Sequence, residues 1–316
     1  MSLVDRLFAP ARPSVAVEIA STRVAALRLG AGTPAAATHA VEPLPAGAVV
    51  PGLTAPNIVD QPAVAAAVAR VLQAVGGSRR VALVLPDAMA KVSLVRFDQV
   101  PARPQELEAM LRWQVRKSVP FRPDEGQLTW ADGEALPGGG REFVVAMARR
   151  EVVTQYERVL SEAGAHAGLV NLASFELVNL VLAQGSAPED WLLVHAEADY
   201  ATLIVVRRGR VIFFRHRGTD AEETLEDLVH QTAMYYEDRL SGRGFGRVLF
   251  AGAAEGPEGT AGAEPARRAL AERLGARVES FALDGAATLA DRIAVSPALA
   301  DSLAPLVGIL AGDPAA

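Results

Sequence analysis

Residues 14–29 read SVAVEIASTRVAALRL, and residues 191–215 read WLLVHAEADYATLIVVRRGRVIFFR. In the first stretch Val15, Val17 and Ile19 alternate with smaller or polar residues, and Val24 to Leu29 forms a second apolar run. Alternation with a period of two marks a half-buried strand. The reading is therefore a β-hairpin with Ser21-Thr22 near its turn. The second stretch begins the same way. Trp191 to His195 is a strand, Ala201 to Arg207 a second, Arg208-Gly209-Arg210 a turn and Val211 to Arg215 a third. A chain that starts twice with the same arrangement reads as two α/β halves of related organisation. Two such halves leave a cleft between them.

Outward from the first hairpin, residues 30–60 are rich in Ala, Pro and Gly, and irregular or edge structure is expected there. Gln61 to Val75 is a predicted helix, with Pro62 in its first turn and Gly76-Gly77 after it. Arg80 to Leu85 and Lys91 to Phe97 are predicted strands. Pro104 to Val119 is the clearest helix: Glu106 and Glu108 lie early, and Arg112, Arg116 and Lys117 lie late, which complements the helix dipole. Leu107, Met110, Leu111, Gln114, Val115 and Val119 form its inner stripe. Strands Gln127 to Asp132 and Glu142 to Ala148 flank a Gly138 to Gly140 turn. Helices follow at Glu151 to Ala163, with Gly164 as cap, and at Leu172 to Ala183. The second half continues with a helix capped by Thr219 or Asp220, with Glu222 and Glu223 in its first turn. Arg247 to Phe250 and Arg277 to Phe281 read as strands, Ala266 to Leu274 and Pro297 to Leu310 as helices.

The 316 residues carry a formal net charge of −6, half of them are apolar, and none is cysteine. This excludes a mostly disordered chain. It also excludes disulfides, thiolate metal sites and cysteine nucleophiles. The mild acidity leaves no basic footprint for nucleic acid. Mean hydropathy is +0.19, yet no window of about 20 residues is free of charge and amide, so no membrane span is expected. Residues 1–13 hold a small apolar cluster, Leu3, Val4, Leu7 and Phe8, too short for an export signal. The expectation is a cytoplasmic protein.

The motifs that carry chemistry are sparse. Lys91 and Lys117 are the only lysines and neither follows a glycine, so no Walker-type phosphate loop exists. Gly242, Gly244 and Gly246 follow a helix and precede a strand, the reverse of a dinucleotide fingerprint. His195, Glu197 and Asp199 share one face of an extended segment, which reads as a solvated strand end facing the cleft, and no metal is expected there. No Gly-x-Ser-x-Gly elbow is present. Trp113, Phe121 and Trp130 cluster in an aromatic-poor chain; core packing accounts for at least one of them, and a partner groove would account for exposed ones.

Residues 104–124, PQELEAMLRWQVRKSVPFRPD, carry a resemblance. A Glu/Leu-rich helix running into Val119-Pro120-Phe121 resembles the PilM family of type IV pilus assembly. That family has the actin/Hsp70-like superfold and is more distantly similar to FtsA. The strand Arg141 to Ala148, the helix after it and the closing helix near Gly308 fit the same pattern. The resemblance implies duplicated α/β halves around a cleft, with a small α/β insertion in the first half. Mapped onto this chain it gives an N-terminal segment 1–13 and a first half at 14–80 and 156–188. The insertion would span 81–155, the second half 189–296, and the closing helix 297–316 would return to the first half.

The family binds ATP with Mg²⁺, and here the implied nucleotide residues depart from its pattern. At the first phosphate loop Glu18 replaces an Asp and Ala20 a Gly, with Ser21 and Thr22 retained and no Lys at position 25. At the second loop His195 stands for Asp and Glu197 for Gly, and the adenosine-side Gly pair is reduced to Gly252-Ala253. A Cβ blocks the approach of backbone amides to phosphate. A carboxylate at Glu197 repels polyphosphate, and a neutral His195 would not organise Mg²⁺. The resemblance therefore implies an actin-like scaffold without ATP hydrolysis and with no cofactor expected; a weak ATP-binding ATPase is the alternative. A small-molecule kinase of the same superfold would need intact phosphate loops. The implied partner is the N-terminal tail of a PilN-like inner-membrane protein, held in a groove between core and insertion. Pilus motor ATPases are a second class of partner. Arg112, Trp113, Arg116 and Phe121 are the candidate partner-binding residues. The protein would sit in the cytoplasm, peripheral to the inner membrane through that partner.

Overall fold

The computed structural model describes residues 13–30, 35–185, 189–218, 224–252, 263–281, 283, 287–289 and 297–311. The apolar segment at the N-terminus, the Glu222-Glu223 turn and Ala253-Ala254 lie outside the described residues.

Val15–Ile19 (β1) and Arg23–Leu29 (β2) pair antiparallel, with Val17 opposite Ala26 and Ile19 opposite Val24. Ala35–Pro43 (β3) continues the meander against β2. This nine-residue strand replaces the irregular structure expected after residue 30. Its Ala-rich sequence has weak strand propensity of its own, and β2 supplies the pairing. Gln61–Ala74 (α1) is capped by the Asp60 side chain accepting from the Ala63 amide. Arg80–Leu85 (β4) lies parallel to β1. Its other neighbour is His166–Leu172 (β8), a strand that sequence reading missed. The register skips one residue at Gly168, where the Arg80 side chain fills the space a Cβ would need. With Ala287–Leu289 (β14) on the far edge, the first sheet has order β14-β3-β2-β1-β4-β8.

The second sheet is built likewise from Trp191–Ala196 (β9), Tyr200–Arg207 (β10), Arg210–Gly218 (β11), Arg247–Gly252 (β12) and Val278–Glu279 (β13), in order β11-β10-β9-β12-β13. Leu225–Leu240 (α5) follows β11, and its cap is Thr224, whose side chain accepts from the Asp227 amide. The cap therefore lies after the Thr219 or Asp220 expected from sequence. Ala263–Leu274 (α6) packs on the same outer face.

Strand alternation sorts the core into layers. Val15, Val17 and Ile19 face outward onto α1 and Arg150–Glu162 (α3), whereas Ala16, Ala25 and Leu27 face the second sheet. On the second sheet Leu192 and Val194 face α5 and α6, and Trp191 and Leu193 face inward. Between the two sheets lie Ala173–Ala183 (α4) and Pro297–Ala311 (α7). These helices pass so close that a Cβ on Gly308 would collide with the backbone of Glu176.

Ala90–Phe97 (β5), Gly126–Ala135 (β6) and Arg141–Arg149 (β7) form a separate three-stranded sheet, order β5-β7-β6. Because β4 belongs to the six-stranded sheet, the small sheet starts at Ala90, later than the boundary drawn at 81. Likewise α3 packs on the first half from its start: Val152 and Val153 are in that core. Pro104–Val115 (α2) covers one face of the small sheet through Leu107, Leu111 and Val115. It stops one turn short of Val119 because the Ser118 amide and hydroxyl both turn back to the Val115 carbonyl, at 2.9 and 2.7 Å. Met110 and Gln114, placed on the inner stripe by spacing, are exposed.

Gly308→Val is expected to lower the melting temperature by several degrees, since overpacking costs about 1–3 kcal/mol; thermal unfolding by circular dichroism measures it.

Candidate functional site

The same alternation decides which side chains meet between the sheets. Glu18 has the parity of Ala16, and Arg23 has the parity of Ala25 and Leu27. His195 and Glu197 continue the inward series of Trp191 and Leu193. The side chains of all four are buried where the two hairpins approach each other. Arg23 reaches across the cleft and binds Glu197 with both terminal nitrogens, at 3.0 Å each. It also donates to Glu18 at 3.1 Å. The Ser21 hydroxyl donates to Asp199 at 3.1 Å, joining the tips of the hairpins.

The chain of contacts continues inward. His195 Nε2 lies 3.4 Å from Glu197, and Nδ1 lies 2.9 Å from the Ser174 hydroxyl and 3.4 Å from Asp87. Ser174, at the start of α4, donates its hydroxyl and its amide to Asp87, the amide at 3.1 Å. Tyr200 meets the His195 ring edge-on at 5.6 Å. Six residues from four parts of the chain thus form one network of buried side chains: Glu18, Arg23, Asp87, Ser174, His195 and Glu197.

Burial would strip His195 of its proton, but the hydrogen bonds and charges of Asp87 and Glu197 outweigh burial and push its pKa up to about 10. The imidazole is therefore cationic at neutral pH, not neutral as expected. Burial also opposes ionisation of Glu197, and Arg23 and His195 overcome it, holding that carboxyl well below the usual range. Asp87 is lowered in the same way, against burial, by His195 and Ser174. Glu18 is pushed up by burial despite Arg23. Two cations, Arg23 and His195, thus face the ionised Glu197 and Asp87, with burial favouring the proton on Glu18. The negative charge expected to repel polyphosphate at Glu197 is neutralised internally, and the solvated strand end expected at His195 is buried.

The residues present do not fit a magnesium polyphosphate. The hairpins approach to hydrogen-bond distance, and their gap is filled by side chains. Ser21 is engaged with Asp199, and Thr22 lies at the turn with its carbonyl accepting from Leu44 at 2.8 Å. Gly252, at the end of β12, donates its amide to Asp301, which is ion-paired with Arg267. Among the described residues no group of three or more His, Asp or Glu is placed to hold a metal.

A mostly apolar concavity lies elsewhere. A cavity of about 420 Å³ opens where β8 and α4 meet the small sheet and the β10–β11 turn. Val144, Ala146 and Ala148 of β7 line one wall, and Leu169, Val170 and Phe175 line another. Asn171 and Asn179 flank Glu176 and donate to its carboxylate, the latter at 3.0 Å. Both β8 and β6 are edge strands, and among the described residues their outer backbone groups have no strand partner in their sheets. None of Arg112, Trp113, Arg116 and Phe121 lines this cavity. The reason is again alternation: Phe143, Val145 and Met147 turn to α2, and the residues between them turn to the cavity. Helix α2 is on the opposite face of the small sheet. There Arg112 binds the carbonyls of Pro123 and Gly126 at 2.7 and 3.0 Å, and fixes the loop. Arg116 stacks 3.8 Å over the exposed Trp113 ring. Phe121 packs against the α2 core and lines a shallow depression with Thr54 and Arg149.

Arg23→Met leaves the Glu18 and Glu197 carboxyl groups buried without the guanidinium that bridges them and is expected to cost about 3–5 kcal/mol in urea unfolding. Arg23→Met combined with Glu197→Met is expected to recover most of that loss. The His195 pKa is raised from 6.5 in the unfolded chain to about 10 in the folded one. Its stabilisation is therefore complete below the lower value and is lost as pH rises through the higher. The melting temperature is expected to fall between those pH values, and His195→Gln to flatten that fall.

A structure of a PilM–PilN type IV pilus biogenesis complex superimposes with a TM-score of 0.77 at 18% identity, covering 95% of this chain and 99% of that one. The cytoplasmic domain of EpsL, an inner-membrane component of the Vibrio cholerae type II secretion system, gives 0.49 at 11% identity over 75% of this chain and 81% of that one. Ethanolamine utilization protein EutJ from Carboxydothermus hydrogenoformans gives 0.47 at 10% identity over 96% and 91%. No curated protein sequence matches the chain. The fold is the actin-like ATPase fold. The family model described as type IV pilus assembly protein PilM matches residues 16–240, and the chain belongs to that family.

Proposed function

We propose that this chain is an adaptor of the inner-membrane platform of a type IV pilus, and that it works without hydrolysing ATP. It holds the N-terminal tail of a PilN-like membrane protein in the cavity between β8, α4 and the small sheet. The observation that carries this reading is the cavity itself. It is mostly apolar, of a size that suits a short extended segment, and bordered by two strand edges onto which a peptide backbone can add. Family membership and the likeness to a PilM–PilN complex support the choice of partner. Among the described residues no helix is long and apolar enough to cross a membrane. Attachment to the membrane would then come through the tail of the partner.

The closed cleft supports the second half of the proposal. ATP binding in the actin-like fold joins the two halves through phosphate and Mg²⁺. Here Arg23 joins the same hairpins through carboxylates of the protein. Binding of a polyphosphate would require breaking a buried bidentate ion pair.

A synthetic peptide of the PilN-like tail is expected to bind saturably in calorimetry, and Ala146→Trp, which fills the cavity, to abolish the binding with the melting temperature little changed. Absence of binding by the unaltered protein at high peptide concentration overturns the tail assignment. Millimolar ATP with Mg²⁺ is expected to leave the melting temperature unchanged; a rise that grows with nucleotide concentration would establish the ATP-binding alternative.

A further inference from the structure

The buried network does not stop at the cleft. Its inner end, Asp87 and Ser174, stands directly behind the cavity. Asp87 lies in the connection between β4 and β5, and its neighbours Leu85, Met89 and Ala90 line the cavity. Ser174 begins α4, and its neighbours Leu172, Phe175 and Glu176 line the facing wall. The hydrogen bonds between Asp87 and Ser174 therefore set the distance between two walls. Both residues are in turn held by His195, which belongs to the second half. His195 is held by Glu197, and Glu197 by Arg23. The second half also reaches the cavity rim, where Arg210 donates to the Asp132 carbonyl at 3.0 Å and Phe214 packs on Phe175 at 5.7 Å.

From this continuous path we infer that Asp87, Ser174 and His195 are positioning residues for the peptide cavity, and that the internal ion network fixes its shape from the nucleotide cleft. None of the three lines the cavity. They act by holding its walls in one arrangement, so that the peptide meets a preformed site. Loss of the cation at His195 leaves Asp87 and Glu197 without the group that joins them. The connection after β4 and the start of α4 are then free to separate. Such coupling between a buried network and a distant site is typically worth a 5- to 150-fold change in affinity. The inference rests on the tail-binding reading for its affinity arm only.

Hydrogen exchange on the free protein tests it without any ligand. His195→Gln is expected to speed amide exchange in residues 85–90 and 172–176, and to leave residues 107–111 of α2, on the far face of the small sheet, unchanged. Ser174→Ala, which removes one hydroxyl from the path, is expected to act in the same two segments. Because both act through one path, His195→Gln in the Ser174→Ala background is expected to add little. Full additivity, or unchanged exchange in either folded variant, overturns the inference. In calorimetry each variant is expected to weaken the tail peptide by roughly fivefold or more, while Trp113→Ala does not. Unaltered affinity in both variants also overturns it. If the unaltered protein binds no peptide, the tail reading fails, and the exchange experiment still decides the positioning role.

Discussion

One guanidinium organises the centre of this protein. Arg23 lies between Glu18 of its own hairpin and Glu197 of the opposing one, and all three are buried. A buried charge is tolerated only when it is paired and hydrogen-bonded. Removing any member leaves the others uncompensated, so the two halves are held in one relation by electrostatics as well as by apolar packing. The same necessity propagates. Glu197 is also served by His195, His195 by Asp87, and Asp87 by Ser174. Each group satisfies the next, as buried polar groups require.

The small sheet shows how one strand serves two purposes. Alternate residues of β7 bury α2 on one side and face the cavity on the other. The exposed Trp113 and its stacked Arg116 therefore belong to a different surface from the cavity, even though they lie in the same insertion. Residue type alone pointed to them as anchors. Their face of the sheet separates them from the groove proposed for the tail.

Much of the architecture was legible because it is local. The two hairpins, the helix at Gln61 and the strand at Arg80 follow from period, caps and breakers. The strands β3 and β8 were not legible. Their sequences, AAATHAVEP and HAGLVNL, lack clear alternation, and both become strands by pairing with neighbours already in place. The candidate site divided in the same way. His195 and Glu197 were singled out because they share one polar face of an extended segment, and Glu18 because the family resemblance placed it at the first phosphate loop. Arg23, Asp87 and Ser174 were not, since nothing in the sequence relates them.

The sequence by itself determined the alternation, and alternation is what turns Glu18, Arg23, His195 and Glu197 to the inner faces of the two sheets. It also determined that the phosphate loops lack their glycines and lysine. What only the tertiary structure decided is what those side chains do. Their pairing spans 174 residues of chain, from Arg23 to Glu197, and the sign of each ionisation depends on its partners. Read alone, His195 was a neutral ring and Glu197 an unpaired negative charge. Packed together out of water, they are a cation and an anion that complete each other.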